Sequence, residues 1–471
     1  MLSKEEKEDI EESLYDYGVE FLDRNAKYMC ESWFYPSYIQ EMFKYVKTEG
    51  IQQNWFIDFV PPDISGCNHK EEEEEEEKKD MYELEEEADE MWMDEVEIIA
   101  KQVMEMCGIP DRQQLCDFDV DELSEEEMIH MKNTVEKINN APVQKQRSEE
   151  WYDVRHCLFS ASNIYKLFGS GSLYNSLIYE KCKPVVHLNS GGISNDTRNP
   201  MNWGIKYESL SLMIYEQKYA TKVKDDYGCI PHPNTSYHIG ASPDAINIDP
   251  NNTYKFGTLV EVKNIVNREI EGIPSTAYWI QMQMQMEVCD LHNCDFLETR
   301  FKEFETETQY LESTHEYKGV IYYMIPKDIC TDVESKYIYV PYYLSEEEQT
   351  QYIKETFESH PQHIPYEKTY WYLDELSCVL VKRNTKWFDS VLHMVQYAWN
   401  NVEKERVEGY EHRAPKKNPT KNKCMLNIPE CAAMDSNGNQ KNTQENSHVH
   451  NMNIVPNNIC LIKLDENGNP M

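Results

Sequence analysis

The chain has 471 residues, enough for two or three domains with at least one sizeable core, and its 46 basic against 85 acidic residues leave a formal net charge of -39. No run approaches eighteen consecutive apolar residues, which excludes a membrane-spanning helix. The acidic opening MLSKEEKEDIEE lacks the apolar stretch of a secretory or transit signal, and fourteen Cys without a short repeat point to free thiols in a reducing, intracellular setting.

Apolar residues at helical spacing predict two amphipathic helices over 3–24 (Ile10, Leu14, Tyr17, Phe21) and 27–48 (Tyr38, Met42, Tyr45). The acidity is concentrated here, with roughly 14 basic against 41 acidic groups in residues 1–146, centred on the Glu run at 71–77. Such a block repels itself, so 66–90 reads as a solvated linker between a helical region at 1–65 and another at 91–146. In the latter, a helix over 91–107 stops at Gly108-Ile109-Pro110, and Ser124 with Glu127 forms a capping-box pattern for a helix reaching about Asn139. This third of the chain offers no candidate chemistry.

From residue 147 to about 410 the composition turns aromatic and β-branched. Strands are predicted near 258–262, 319–325 and 337–343, and helices near 203–219, 276–290, 344–359 and 385–405. One α/β or α+β domain with a mixed sheet is expected, followed by a polar, Asn-rich tail from 411 to 471 that reads as disordered.

The strongest local signal is His238-Ile-Gly-Ala-Ser-Pro-Asp244-Ala-Ile, a turn cluster, then Leu259-Val-Glu261-Val-Lys263. Alternation puts Glu261 and Lys263 on one face of a strand and Val260 and Val262 on the other, and a hairpin brings Asp244 beside the charged pair. Alone, Glu-x-Lys is an ordinary surface ion pair. Two carboxylates meeting at one point, however, repel unless a cation lies between them, and a few oxygen ligands suit Mg²⁺ or Mn²⁺. The neighbouring ammonium would orient or help deprotonate an attacking water and stabilise charge on phosphorus. Glu208, on a helix face with Gly204, Ser211 and Tyr215, is placed as a third metal ligand. Gln281 and Gln285 share a helix face on which they could hydrogen-bond water or phosphate, while Trp279, Met282 and Met286 read as core. Arg155 with Ser160 and Ser162 suits a phosphate clamp. His232 and His238 read as loop residues.

The ordered set Trp151…Arg155…Ser160-Ala-Ser162, Trp203-Gly…Glu208, Ser-Pro-Asp244, Glu261-Val-Lys263 and Tyr278…Gln281 resembles the YqaJ-type viral recombinases, the phage lambda exonuclease-like branch of the PD-(D/E)xK nucleases. The resemblance spans roughly 147–300, and Ser377 to Lys382 with Trp387 resembles the family's closing strand and helix. It implies a mixed sheet flanked by helices and a Mg²⁺-dependent 5′→3′ exonuclease on duplex DNA ends, serving viral recombination, repair or replication in host cytoplasm or nucleus. By that similarity Glu208, Asp244 and Glu261 are metal ligands and Lys263 is the catalytic lysine. Gln281 is the motif glutamine, and Arg155 and Ser162 hold a terminal 5′-phosphate. It also admits a single-strand annealing recombinase as partner and a homo-oligomeric ring. Asn234 stands where the family carries a further carboxylate, and Ser160 where Thr is usual.

Two other readings compete: a non-catalytic nucleic-acid or protein-binding module keeping the fold, and a structure-specific endonuclease. An iron–sulfur variant is disfavoured, because Cys289 and Cys294 lack the required run of neighbours. The net charge opposes DNA binding, so the reading relies on a local basic cluster of Arg147, Arg155, Lys166, Lys181, Lys183, Arg198, Lys206 and Lys263.

Overall fold

Alternating apolar residues and well-signalled helix ends build a mixed sheet with helices on both faces. The computed structural model describes residues 4–52, 93–112, 114–115, 124–142, 144, 148–185, 199–328 and 333–415. The expected acidic linker lies outside them, as do residues 416–471 of the expected disordered tail. The helices are α1 (Lys4–Asn25), α2 (Phe34–Gln52), α3 (93–106), α4 (Glu125–Asn139), α5 (Glu149–His156), α6 (Gly171–Cys182), α7 (Pro200–Tyr219), α8 (Thr276–Cys289), α9 (Glu307–Glu312), α10 (Glu346–Ser359) and α11 (Thr385–Glu408). The strands are β1 (Gln114–Leu115), β2 (Phe159–Ser160), β3 (Val223–Lys224), β4 (Ile230–Pro231), β5 (Ile239–Ala241), β6 (Ala245–Asn247), β7 (Leu259–Asn264), β8 (Asn293–Phe304), β9 (Lys318–Pro326), β10 (Lys336–Tyr339) and β11 (His363–Lys382). No helix among the described residues is long and apolar enough to cross a membrane.

The main sheet runs β10-β9-β11-β8-β7-β6-β3, with β1 added to β11. Within this sheet, among the described residues, β7 and β8 are the parallel pair, Glu261 opposite Phe296, and α8 makes the crossover that such a pair requires. The fold is thus the mixed α/β class expected from the sequence. The expected hairpin over 238–263 is divided at Ser242-Pro243. Proline cannot donate to a ladder, and the chain leaves a three-stranded sheet (β2-β5-β4) there to enter the main one, with Asp244 at the crossing.

Helix ends follow side-chain chemistry. Ser124 and Glu127 form the expected reciprocal box at 3.3 and 2.9 Å. Ser275 caps α8, accepting from Tyr278 N, and Asn199 with Pro200 opens α7. The helix expected at 27 begins instead at Phe34, because a 3-10 turn at Ala26–Tyr28 intervenes.

The N-terminal helices are no detached module. Leu14, Leu22, Tyr38, Val46, Val103 and Met131 share one buried cluster with Trp279, Met282, Met286, Trp387 and Val395. The change of composition at 147 therefore marks no break in packing, and Met1–Pro415 clusters as one unit. Gly257 shows how close the approach is: it sits at φ 77° in the β6–β7 turn, and a Cβ there would collide with Met131 Sδ of α4. Gly257→Ala should destabilise the protein by about 2–3 kcal/mol through φ strain and overlap. A urea midpoint equal to wild type would contradict that packing.

Candidate active site

Strand β7 carries the site because its two faces meet different helices. Val260 and Val262 pack with Leu212 and Tyr215 of α7. Glu261 and Lys263 face α8 on the other side, as their two-residue spacing predicts. This is no surface ion pair. Glu261 is fully buried, its Oε1 accepting from Lys263 Nζ and from Gln281 Nε2 at 2.6 Å, and its Oε2 from Gln285 Nε2 at 2.7 Å.

Both glutamine amides donate to Glu261, a partner that their spacing on α8 does not reveal. A buried carboxylate without donors is costly, and α8, buried on every side from Trp279 to Met286, has nothing else polar to offer it. Gln283, between them, ties α8 to the start of α11, accepting from Asn384 N at 2.7 Å and donating to Lys382 O at 2.9 Å.

Asp244 lies at the mouth of this arrangement. Its Oδ2 accepts from Val262 N at 2.8 Å. Burial, then the charges of Glu261 and Glu208, hold its carboxyl well above the ordinary range, while Lys263 and the Val262 bond oppose this only in part. The charges of Glu208, Glu261 and Lys263 thus all act on Asp244. Burial alone would lower the Lys263 pKa, but Glu261 and Asp244 outweigh it and keep the amine protonated. An amine so held stabilises negative charge beside it. Tyr278 covers it, with Nζ 4.8 Å from the ring centroid.

Helix α7 is clamped to β7 through Asn264, which accepts from Ser211 Oγ and Thr299 Oγ1, both at 2.8 Å, and donates to Gly204 O at 3.2 Å. Ser211 stands one turn beyond Glu208, so this clamp sets where that carboxylate stands.

Three carboxylates against one ammonium leave a surplus of negative charge. Oxygen donors of that charge fit a hard divalent cation. Among the described residues, no three Asp, Glu, His or Cys side chains stand close enough to enclose an ion as they are placed.

The second constellation forms around β2. Arg155 Nη2 donates to Ser160 Oγ at 3.0 Å and Ser162 Oγ at 3.4 Å, and its guanidinium lies over Trp151 at 4.3 Å. Parallel pairing sets Ser160 opposite Gly240, so this cluster sits on the β5 segment that leads to Asp244. Sequence reading did not single out Lys181 as part of it. Buried, and donating to Arg155 O at 2.7 Å, Lys181 has its pKa lowered to about 8, by burial first and also by Arg155 and Arg406.

Other expectations are corrected. Lys206 is not available to DNA: it is buried, with Nζ 2.8 Å from Glu303 Oε1 and 3.0 Å from Thr369 Oγ1. His232 and His238 do lie in connecting segments, the first 3.6 Å from Glu287 and the second stacked on Trp399 at 4.5 Å. Arg147 and Arg198 lie outside the described residues.

The mixed sheet brings Pro243-Asp244 beside Glu261-Val262-Lys263. Residues 150–292 match the model of the YqaJ-like viral recombinase domain, the family that its motifs resemble. An uncharacterized protein of Acanthamoeba polyphaga mimivirus is 25% identical over 316 residues, 59% of this chain and 56% of its own length. The chain thus matches a little over half of that relative. Among solved structures, LHK-Exo in complex with dAMP is 16% identical over 57% of this chain and 98% of its own, with a TM-score of 0.32. The alkaline exonuclease LHK-Exo from Laribacter hongkongensis is 15% identical over 55% and 94%, with a TM-score of 0.31.

Proposed function

We propose that this protein is a Mg²⁺- or Mn²⁺-dependent deoxyribonuclease that hydrolyses phosphodiester bonds, acting as a 5′→3′ exonuclease on linear duplex DNA. The observation that supports this reading is the buried meeting of Glu261 with Lys263, Gln281 and Gln285 beside Asp244 and Glu208. Such a site has little use in a non-catalytic module, since buried like charges cost stability. Glu208, Asp244 and Glu261 would hold the cation, which when bound supplies charge neutralisation and polarises the scissile phosphate. Lys263 stabilises the charge that grows on the phosphate oxygens, and Gln281 and Gln285 keep the Glu261 carboxylate aimed. Arg155, Ser160, Ser162 and Lys181 form the seat of the terminal 5′-phosphate.

Nucleotide release from 5′-phosphorylated linear, nicked and closed circular duplexes, with and without Mg²⁺, tests the reading. Release from the linear substrate alone, abolished by chelation, is expected. Equal cutting of closed circles would make the enzyme an endonuclease, and inertness on all three would overturn the nuclease reading.

The phosphate seat has its own signature. Lys181 is charged below about pH 8 and neutral above it. Affinity for a 5′-phosphorylated end should therefore fall as pH rises through about 8, by roughly tenfold, the worth of one charge-assisted hydrogen bond. A 5′-hydroxyl end should show no such step. Identical pH profiles for the two ends would remove Lys181 from the seat.

A further inference from the structure

The cluster around β2 is held together by a residue of the last helix. The apolar stripe of α11 runs through Val395, Trp399 and Val402, and one turn further the same face carries Arg406. Its guanidinium lies over the Trp399 ring at 5.5 Å. Nε and Nη2 donate to Lys181 O at 3.1 and 2.7 Å, and Nη2 also donates to His156 O at 2.9 Å. Those carbonyls belong to the last turns of α6 and α5, where a helix leaves its C=O groups without partners. The same turn of α5 offers Arg155 O to Lys181 Nζ at 2.7 Å, and His156 Nε2 meets Lys183 O at 2.8 Å. From outside the 150–292 match, Arg406 thus fastens together the two helix ends that carry Arg155 and Lys181.

A neutral amide would satisfy carbonyls without the cost of half-burying a charge. Among the described residues, the partners of Arg406 are these carbonyls, the His156 ring and Trp399, and no carboxylate. The groups that face Lys181 are Arg155 and His156 of α5, Glu180 of its own helix, Cys229 ahead of β4, and Arg406. Glu180 is exposed and shared with Lys166 at 3.5 Å. Burial holds the Cys229 thiol above and the His156 ring below their ordinary ranges, so both are neutral near about pH 8. Arg155, Lys181 and Arg406 therefore converge with one screened carboxylate against them. That surplus suits a terminal phosphate, which carries about two charges where a diester carries one.

We propose that Arg406 is a positioning residue for the seat of the terminal 5′-phosphate: it locks the ends of α5 and α6 together and places its charge behind Arg155 and Lys181, so that a phosphorylated end is preferred. The assignment rests on the nuclease reading for its ligand. The C-terminal helix is then part of how the chain end is recognised.

The test is anisotropy of fluorescent duplexes with 5′-phosphate or 5′-hydroxyl ends on the full chain, in Ca²⁺ and across pH, alongside nucleotide release in Mg²⁺. Arg406→Gln should lower the preference for the phosphorylated end about tenfold and leave the hydroxyl end bound as before. Losing this cation also relieves Lys181, so the fall in preference, centred near about 8 in wild type, should move to higher pH. Loosened packing alone would weaken both ends alike and shift no midpoint. Arg406→Lys keeps the charge without the fork, so the preference should fall a few-fold with the midpoint unmoved. Should Arg406→Gln fail to fold, the Lys variant decides: a preference equal to wild type would overturn the proposal. So would a folded Arg406→Gln that keeps both preference and midpoint, or that weakens both ends equally, and continued nucleotide release would then leave the nuclease reading standing. The expected Arg406→Gln pattern in a protein that releases no nucleotide would support the role of Arg406 and remove the nuclease reading instead.

Discussion

Lys263→Ala should leave a folded chain that releases nucleotides from linear duplex DNA about a thousandfold more slowly than wild type, the usual scale for losing one preorganised charge at a reacting phosphate. The ammonium is held protonated by Glu261 and Asp244, so its contribution is electrostatic and its loss should appear in kcat. Folding should survive because Gln281 and Gln285 still donate to Glu261. Breaking a buried ion pair outright costs about 3–5 kcal/mol, and the two amides reduce that. Near-ultraviolet circular dichroism separates lost chemistry from lost structure. A folded variant as active as wild type would dismiss Lys263 from the chemistry.

Asp244→Asn should abolish hydrolysis while raising Tm. In the folded chain this carboxyl is pushed up by burial and by the charges of Glu261 and Glu208, so its ionised form strains the metal-free protein at neutral pH. Asparagine keeps an oxygen for Val262 N and removes one of the like charges, a gain of about 1–2 kcal/mol by the general trade of stability for activity at functional sites. The linkage follows from the same sign. Because the folded pKa lies above the unfolded one, metal-free wild type should lose stability as pH rises out of the ordinary carboxylate range, and the Asn variant should lose less. Mg²⁺ should raise the Tm of wild type and barely move that of Asp244→Asn. Thermal melts at matched pH check both, and a lower Tm in metal-free Asp244→Asn would refute the charge-strain account.

How much of this was legible from the residues varies with the range of the interaction. The period of two along Leu259–Asn264 put Glu261 and Lys263 on one side of β7, and the Ser124–Glu127 box set the start of α4, because both depend on neighbours a few positions apart. Gln281 and Gln285 were visible as one helix face, but not that Glu261 stands opposite it, since spacing says nothing about what a face meets. Lys206 read as a cation for DNA until Glu303, 97 positions away, claimed it. Lys181 was visible as one of a basic cluster, but not its burial against the Arg155 carbonyl, which depends on segments 26 positions apart.

By itself, then, the order of residues gave the mixed α/β class, the face shared by Glu261 and Lys263, several helices with their caps, and the match of residues 150–292 to the YqaJ-like domain model. Local periodicity, capping and turn chemistry carry those features, and they act within a turn or a strand. Tertiary structure alone decided that the N-terminal helices share the core and that Glu261 is buried beneath two glutamines. Desolvation and long-range pairing settle such matters, and both exist only once distant segments have closed around the charge.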